Sequence, residues 1–235
     1  MKILISDFDR TFFRDHYLNN IKIVNELVSG GNIFIIATGR NISSLMQKIK
    51  DHQINYKYLI CNDGGITYDH NLKVINRIDI EPATAKEIFE ILTDDPCTIE
   101  CYTDDSLSLN SNCSGQANAI IASYNDDEQA TLLLERIIKL YPSVHGYISD
   151  RWINITNHLV DKGQAIDYLV NLNQLNKPDI YVVGDNLNDL SMHERYRGYA
   201  MADGVLELQK ISHQVINDFS EVVDQIYEDI NKRDN

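Results

Sequence analysis

Two aspartates, Asp7 and Asp9, stand two residues apart directly after the apolar run Ile3-Leu4-Ile5. A carboxylate at the carboxyl end of a buried strand lies where open α/β sheets bind ligands. It can act as a nucleophile or hold a hard cation. A single such aspartate is most often a turn or helix-cap residue; a pair followed by Thr11 points to function. Thr38-Gly39-Arg40 comes directly after the run 33–37. A hydroxyl and bare backbone at a helix start make an anion site, although taken alone such a threonine is more often a plain N-cap. Lys162-Gly163 opens a helix after Asp161, and a lysine there opposes the positive end of the helix dipole. That mild conflict favours a functional reason for the lysine. Gly184-Asp185-Asn186-Leu187-Asn188-Asp189 follows a fully apolar run, 180–183. Oxygen-bearing side chains packed so closely at a strand end suit a Mg²⁺ shell.

The hydrophobic pattern shows what must position these clusters. Short continuous apolar runs at 3–5, 33–37 and 58–61 read as buried parallel strands, with helical spacing at 20–29 and 42–50 between them. Gly30-Gly31 stops the first helix. Three strand–helix units in succession predict a Rossmann-like, doubly wound parallel α/β sheet. The pattern then changes. Hairpins are expected at 66–68 with 74–75, at 98–102 with 106–110, and at 144–148 with 152–155, and helices at 82–92 and 126–140. Parallel patterning returns with a helix from Asp161 to Asn173, a strand at 180–183, a short helix, a strand near 199–201 and two final helices. The predicted organisation is a core domain from residues 1–78 and 156–235, interrupted by an inserted α+β domain over 79–155. The tail 231–235 is expected to fray.

Composition narrows the function. The chain has 235 residues, 43% of them hydrophobic, and a net charge of −14. It can bury a core, and so acidic a chain is a poor candidate for binding nucleic acid or an anionic membrane, both of which need basic patches. A phosphorylated substrate would need local cations at the site, and a metal ion is the obvious one. The four cysteines, Cys61, Cys97, Cys101 and Cys113, form no C-x-x-C pair and have no histidine cluster, which argues against zinc. Free thiols, the absence of a signal peptide and the absence of a run of ~20 apolar residues predict a cytoplasmic protein.

Taken in order, the four clusters resemble the motifs of the haloacid dehalogenase (HAD) superfamily of Mg²⁺-dependent phosphatases. Ala37-Thr38-Gly39-Arg40, the Asp63-Gly64-Gly65 turn, the position of the insertion and Tyr199-Ala200-Met201-Ala202-Asp203-Gly204 resemble its Cof-type branch, whose insertion is a type IIB cap. The resemblance implies a phosphomonoesterase acting on a small phosphorylated metabolite such as a sugar phosphate or nucleotide. Asp7 would be the nucleophile, forming an aspartyl-phosphate, and Asp9 the general acid and base. Thr38, Gly39 and Lys162 would bind the phosphoryl group. Mg²⁺ would be held by Asp7, the Asp9 carbonyl and Asp185, while Asn188 and Asp189 would orient Lys162 and the metal shell. Arg40 and Asp63 would lie at the substrate or behind the first residues that touch it. Arg10 stands where the family usually has glycine, and Asn186 likewise, so the resemblance leaves the role of Arg10 open.

Two other outcomes fit the same residues. A phosphosugar mutase of the same superfamily would return the phosphoryl group to a sugar rather than to water. A receiver-type regulator also uses Asp, Thr and Lys around Mg²⁺, but its phospho-accepting aspartate ends the third strand, where this chain has Cys61-Asn62-Asp63. A non-catalytic fold used for binding alone is disfavoured by the complete set of Asp7, Asp9, Thr38, Lys162 and Asp185. Oligomeric state is not legible in the sequence.

Overall fold

The computed structural model describes residues 1–92, 98–102, 117–149 and 152–232. In chain order its elements are β1 (Ile3–Ser6), α1 (Tyr17–Ser29), β2 (Ile33–Ala37), α2 (Ile42–Ile49), β3 (Tyr58–Cys61), β4 (Ile66–Asp69), β5 (Val74–Arg77) and α3 (Pro82–Leu92). There follow β6 (Thr98–Tyr102), β7 (Ala119–Ser123), α4 (Asp127–Leu140), β8 (Val144–Ser149), β9 (Trp152–Asn157) and α5 (Lys162–Asn173). The chain continues with β10 (Ile180–Gly184), α6 (Leu190–Arg195), β11 (Arg197–Met201), α7 (Leu206–Ile211), β12 (Gln214–Ile216) and α8 (Ser220–Asn231).

Eight strands form one sheet in the order β12-β11-β10-β1-β2-β3-β4-β5. From β12 to β3 every pairing is parallel, and β3-β4-β5 continue antiparallel. Strands buried on both faces need apolar side chains at every position, which is why β1, β2, β3 and β10 read as unbroken apolar runs. Alternate residues face opposite layers. Leu4, Phe34, Leu59 and Val183 pack with Val24, Leu27, Leu45 and Val222 of α1, α2 and α8. Ile3, Ile35, Ile60 and Val182 pack on the other side with Ile166, Leu169 and Met192 of α5 and α6. The sheet is therefore doubly wound, as expected.

A second sheet, wholly antiparallel in the order β6-β7-β9-β8, has its own apolar cluster with α3 and α4. The hairpin β8-β9 matches expectation. The partner of β6 does not: β6 pairs with β7, a strand the sequence reading left unassigned, while the expected partner at 106–110 lies outside the described residues. The edge strand β12 was likewise unforeseen, because only three residues pair and two of them are exposed.

The order of the main sheet has one consequence for the site. β1 lies between β10 and β2, so the loops after β1, β2 and β10 emerge side by side at the carboxyl edge. Those loops carry Asp7 and Asp9, Thr38 to Arg40, and Asp185 to Asp189. The crossover helix α5 brings Lys162 to the same edge.

Candidate active site

Lys162 is the centre of the site. It is the first residue of α5, which Asp161 caps by accepting from the Gln164 backbone, 2.7 Å. Its side chain is 0% exposed, and Nζ donates to Asp7 Oδ1 at 2.6 Å and to Asp189 Oδ1 at 2.7 Å. Burial disfavours the charge of Lys162, but Asp189, Asp7 and Asp63 outweigh it and raise its pKa. The other oxygen of Asp189 accepts from the backbone N–H groups of Asp185, 2.9 Å, and Asn186, 3.0 Å. Asp189 is thus spent on holding Lys162 and on folding its own loop. Gly184 makes this possible, since a Cβ there would lie 2.4 Å from Asp189 Oδ2.

Asp7, Asp185 and Asp189 each present a carboxylate oxygen within 4.8 Å of the others, and all three are buried. One buried lysine faces three carboxylates. The Asp7 carboxyl is accordingly pushed well above its ordinary range, by burial first, with Lys162 opposing and Asp189 and Asp185 reinforcing the rise. Burial, and then Asp189, also raise the pKa of Asp185. An all-oxygen donor set short of positive charge suits a hard divalent cation. The residues present therefore fit the Mg²⁺ that the sequence resemblance implies, with Asp7 and Asp185 as the side chains free to serve it.

Asp9 is placed apart from that cluster. Arg40 Nε donates to its Oδ2 at 2.6 Å and Nη2 to its Oδ1 at 2.8 Å, a two-pronged pair, while Nη1 reaches Ser44 Oγ at 2.6 Å. The bond to Asp9 leads the causes that raise the Arg40 pKa. Thr38 is buried, and its Oγ1 accepts from the Arg40 backbone at 3.2 Å. Gly39 packs against Asp63, whose Oδ1 lies 3.1 Å from where a Cβ would stand. Arg10, with φ 61°, turns back over the loop so that Nε sits 3.6 Å from Asp185 Oδ2, and Thr11 Oγ1 donates to Asp185 Oδ1 at 2.9 Å.

Asp63 joins the two sheets. Its Oδ2 accepts from the hydroxyl of Tyr147 on β8 at 2.6 Å, and its Oδ1 from Asn188 Nδ2 at 2.8 Å. Burial, reinforced by Asp63, raises the Tyr147 pKa. Beside this contact is a cavity of about 320 Å³ between β8 and the loop after β10, lined by Asp63, His145, Tyr147, Asp161, Asn188 and Glu194 among others.

The structure thus brings Asp7, Lys162, Asp185 and Asp189 into direct contact or near it, and sets Asp9 with Arg40, and Asp63 with Asn188, around them. Asn188 reaches Asp63 rather than Lys162. Tyr147 and Asn118, which is buried and bonded to Asn62, were not singled out from the sequence. Their types and spacing carry no periodic signal, because their roles arise from the packing of one sheet on the other.

Comparison with known proteins agrees with this architecture. The family model for haloacid dehalogenase-like hydrolases matches residues 4–131 and 112–226. A Bacillus subtilis protein named as a 5-amino-6-(5-phospho-D-ribitylamino)uracil phosphatase is 24% identical over 266 residues, covering 90% of this chain and 91% of its own. A crystal structure from Thermotoga maritima superposes with a TM-score of 0.79 at 22% identity, covering 95% of this chain and 97% of that one. A structure described as a HAD subclass IIB sugar phosphatase gives a TM-score of 0.79 at 15% identity, with 97% and 98% covered.

Proposed function

We propose, from the premise that the chain belongs to the haloacid dehalogenase-like hydrolase family, that it is a Mg²⁺-dependent phosphomonoesterase working through an aspartyl-phosphate. The observation that carries this reading is the buried Asp7 held by Lys162 beside Asp185 and Asp189. Lys162 takes Oδ1 of Asp7, so Oδ2 is the nucleophilic oxygen. It attacks phosphorus as the bond to the leaving oxygen breaks, and Asp9 gives that oxygen its proton. Asp9 then takes a proton from water, which attacks phosphorus and releases Asp7 and inorganic phosphate. Arg40 holds both oxygens of Asp9, so at least one of these bonds opens for proton transfer. Thr38, the Gly39 backbone and Lys162 bind the phosphoryl oxygens. Mg²⁺ held by Asp7, Asp185 and the Asp9 carbonyl would cancel charge between nucleophile and phosphoryl group.

The inserted domain, residues 79–155, which carries most of the second sheet, acts in this reading as the cap that selects the leaving group. The cavity beside Tyr147 and Asn188 carries Asp63, Asp161 and Glu194 on its walls. With a cap over the site, the substrate in this reading is a small phosphorylated metabolite of the sugar phosphate or nucleotide class, met in the cytoplasm and not as part of a nucleic acid or membrane. Among the described residues no helix is long and apolar enough to cross a membrane. A panel of phosphometabolites, with and without Mg²⁺, tests the proposal. Phosphate release that needs Mg²⁺ and vanishes in Asp7→Asn supports it; full activity in that variant overturns it. A bisphosphate product would instead identify a mutase.

A further inference from the structure

Arg10 occupies a position its backbone disfavours. Its φ of 61° lies in the left-handed region, where an arginine is uncommon. The loop holds it there with a second arginine: Arg14 Nη1 donates to the Arg10 carbonyl at 3.2 Å, and Arg14 pairs with both oxygens of Asp203 at 3.2 and 3.3 Å. Arg10 Nη2 in turn donates to the Asp203 carbonyl at 3.2 Å. This brace sets the Arg10 guanidinium 3.6 Å from Asp185 Oδ2. The other Asp185 oxygen is taken by the buried Thr11 hydroxyl at 2.9 Å. Asp185 Oδ2, which carries no such bond, is therefore its more open oxygen toward a metal ion, and it is the one Arg10 faces.

We infer that Arg10 is a built-in competitor of the divalent cation, a positioning residue that weakens metal binding and ties it to salt concentration. The inference rests on the metal reading above. Two cations cannot share Asp185 Oδ2 at close range, so an arriving ion pushes the guanidinium out. The Arg10 side chain is 63% exposed and has solvent to move into. Its charge still opposes the ion from the rim, in a high-dielectric setting where the effect is real but screened.

The test is a titration of the wild-type protein and the Arg10→Gln and Arg10→Lys variants with Mn²⁺, read by the electron paramagnetic resonance signal of the free ion. Gln keeps a polar side chain, shorter than that of Arg, and removes the charge. At low ionic strength Arg10→Gln should bind Mn²⁺ about three- to tenfold more tightly than wild type. Arg10→Lys should stay near wild type, and the gap between Gln and Arg should shrink as salt is raised. Equal or weaker binding by Arg10→Gln overturns the role of Arg10 while leaving the metal site standing. Failure of both wild type and Arg10→Gln to bind Mn²⁺ overturns the metal reading and this inference together.

Discussion

Replacing Lys162 by glutamine removes the buried cation that pairs with two of the three clustered carboxylates, Asp7 and Asp189. Lys162 is fully buried, with bonds of 2.6 and 2.7 Å to Asp7 and Asp189. Removing one partner of a buried pair costs about 3–5 kcal/mol, because the remaining charge is left without compensation. Here two carboxylates are stranded, and the chain's escape is to protonate one of them. Asp7 is the group that yields: burial already raises its pKa, and Lys162 is the main influence holding it down. A carboxyl with a raised folded pKa keeps a proton that the unfolded chain releases. The stability it contributes is fully present below the unfolded value of about 3.9 and is lost as pH rises through the folded value. Lys162→Gln should therefore be weakest near pH 8 and recover toward wild type as pH falls to 5. One proton allows a recovery of up to about 1.4 kcal/mol per pH unit. Urea unfolding of both proteins at half-unit steps across this range measures the difference directly. A loss below about 1 kcal/mol at pH 8, or a difference that does not change with pH, would refute the claim that Lys162 neutralises buried Asp7.

Three further outcomes follow from other contacts. His193 is 4% exposed, and burial lowers its pKa to about 4; the Ser212 hydroxyl donates to the Leu208 carbonyl and so accepts from Nδ1–H, leaving Nε2 bare and buried. The folded protein resists this proton while the unfolded chain takes it below about pH 6.5, so roughly 3 kcal/mol present above that pH is lost on descent to about 4; unfolding curves of His193→Gln should lack this slope. Tyr147→Phe deletes a donor to a buried carboxylate and should cost about 1.5–3 kcal/mol by chemical denaturation. Gly184→Ala drives a methyl into Asp189; circular dichroism melts should show a lower Tm, and phosphatase activity should fall because Lys162 loses its anchor.

Much of the core was legible because parallel strands buried on both faces leave unbroken apolar runs, as at Ile33-Phe34-Ile35-Ile36-Ala37. The polar residues that end those runs mark the site for the same reason: they interrupt a pattern that burial enforces. Pairings between distant residues were not legible. Asp9 and Arg40 were each visible as candidates, yet nothing in their spacing says that Arg40 grips Asp9 with two bonds. β7 escaped notice because Ala119-Ile120-Ile121-Ala122-Ser123 is short and does not alternate, and its strand character comes from lying between β6 and β9. Tyr147 looks like any strand tyrosine until the second sheet sets it against Asp63.

The turn after β3 holds backbone strain where both sheets meet the site. Asn62, Asp63 and Gly64 are left-handed in succession, with φ of 48°, 55° and 108°. Asn and Asp tolerate this region better than other residues with side chains, yet each such residue costs of order 1–3 kcal/mol. Strain of that size persists only where the surroundings over-determine it. Here they do: the Asn62 backbone donates to the Arg40 carbonyl and that of Asp63 to the Thr38 carbonyl, both at 3.0 Å. The Asn62 side chain donates to Asn118 at 2.6 Å, and Asn118 in turn donates to the Gly65 and Ile78 carbonyls at 2.8 and 2.9 Å. A Cβ on residue 64 would lie 2.4 Å from the Asp161 carbonyl, so the turn abuts the residue that caps the Lys162 helix. A relaxed turn would aim Asp63 elsewhere and release Tyr147, Asn188 and the Thr38 loop together. The strain is thus the condition for one carboxylate to touch β8, the loop after β10 and Gly39 at once, contacts that no single strand or helix could supply.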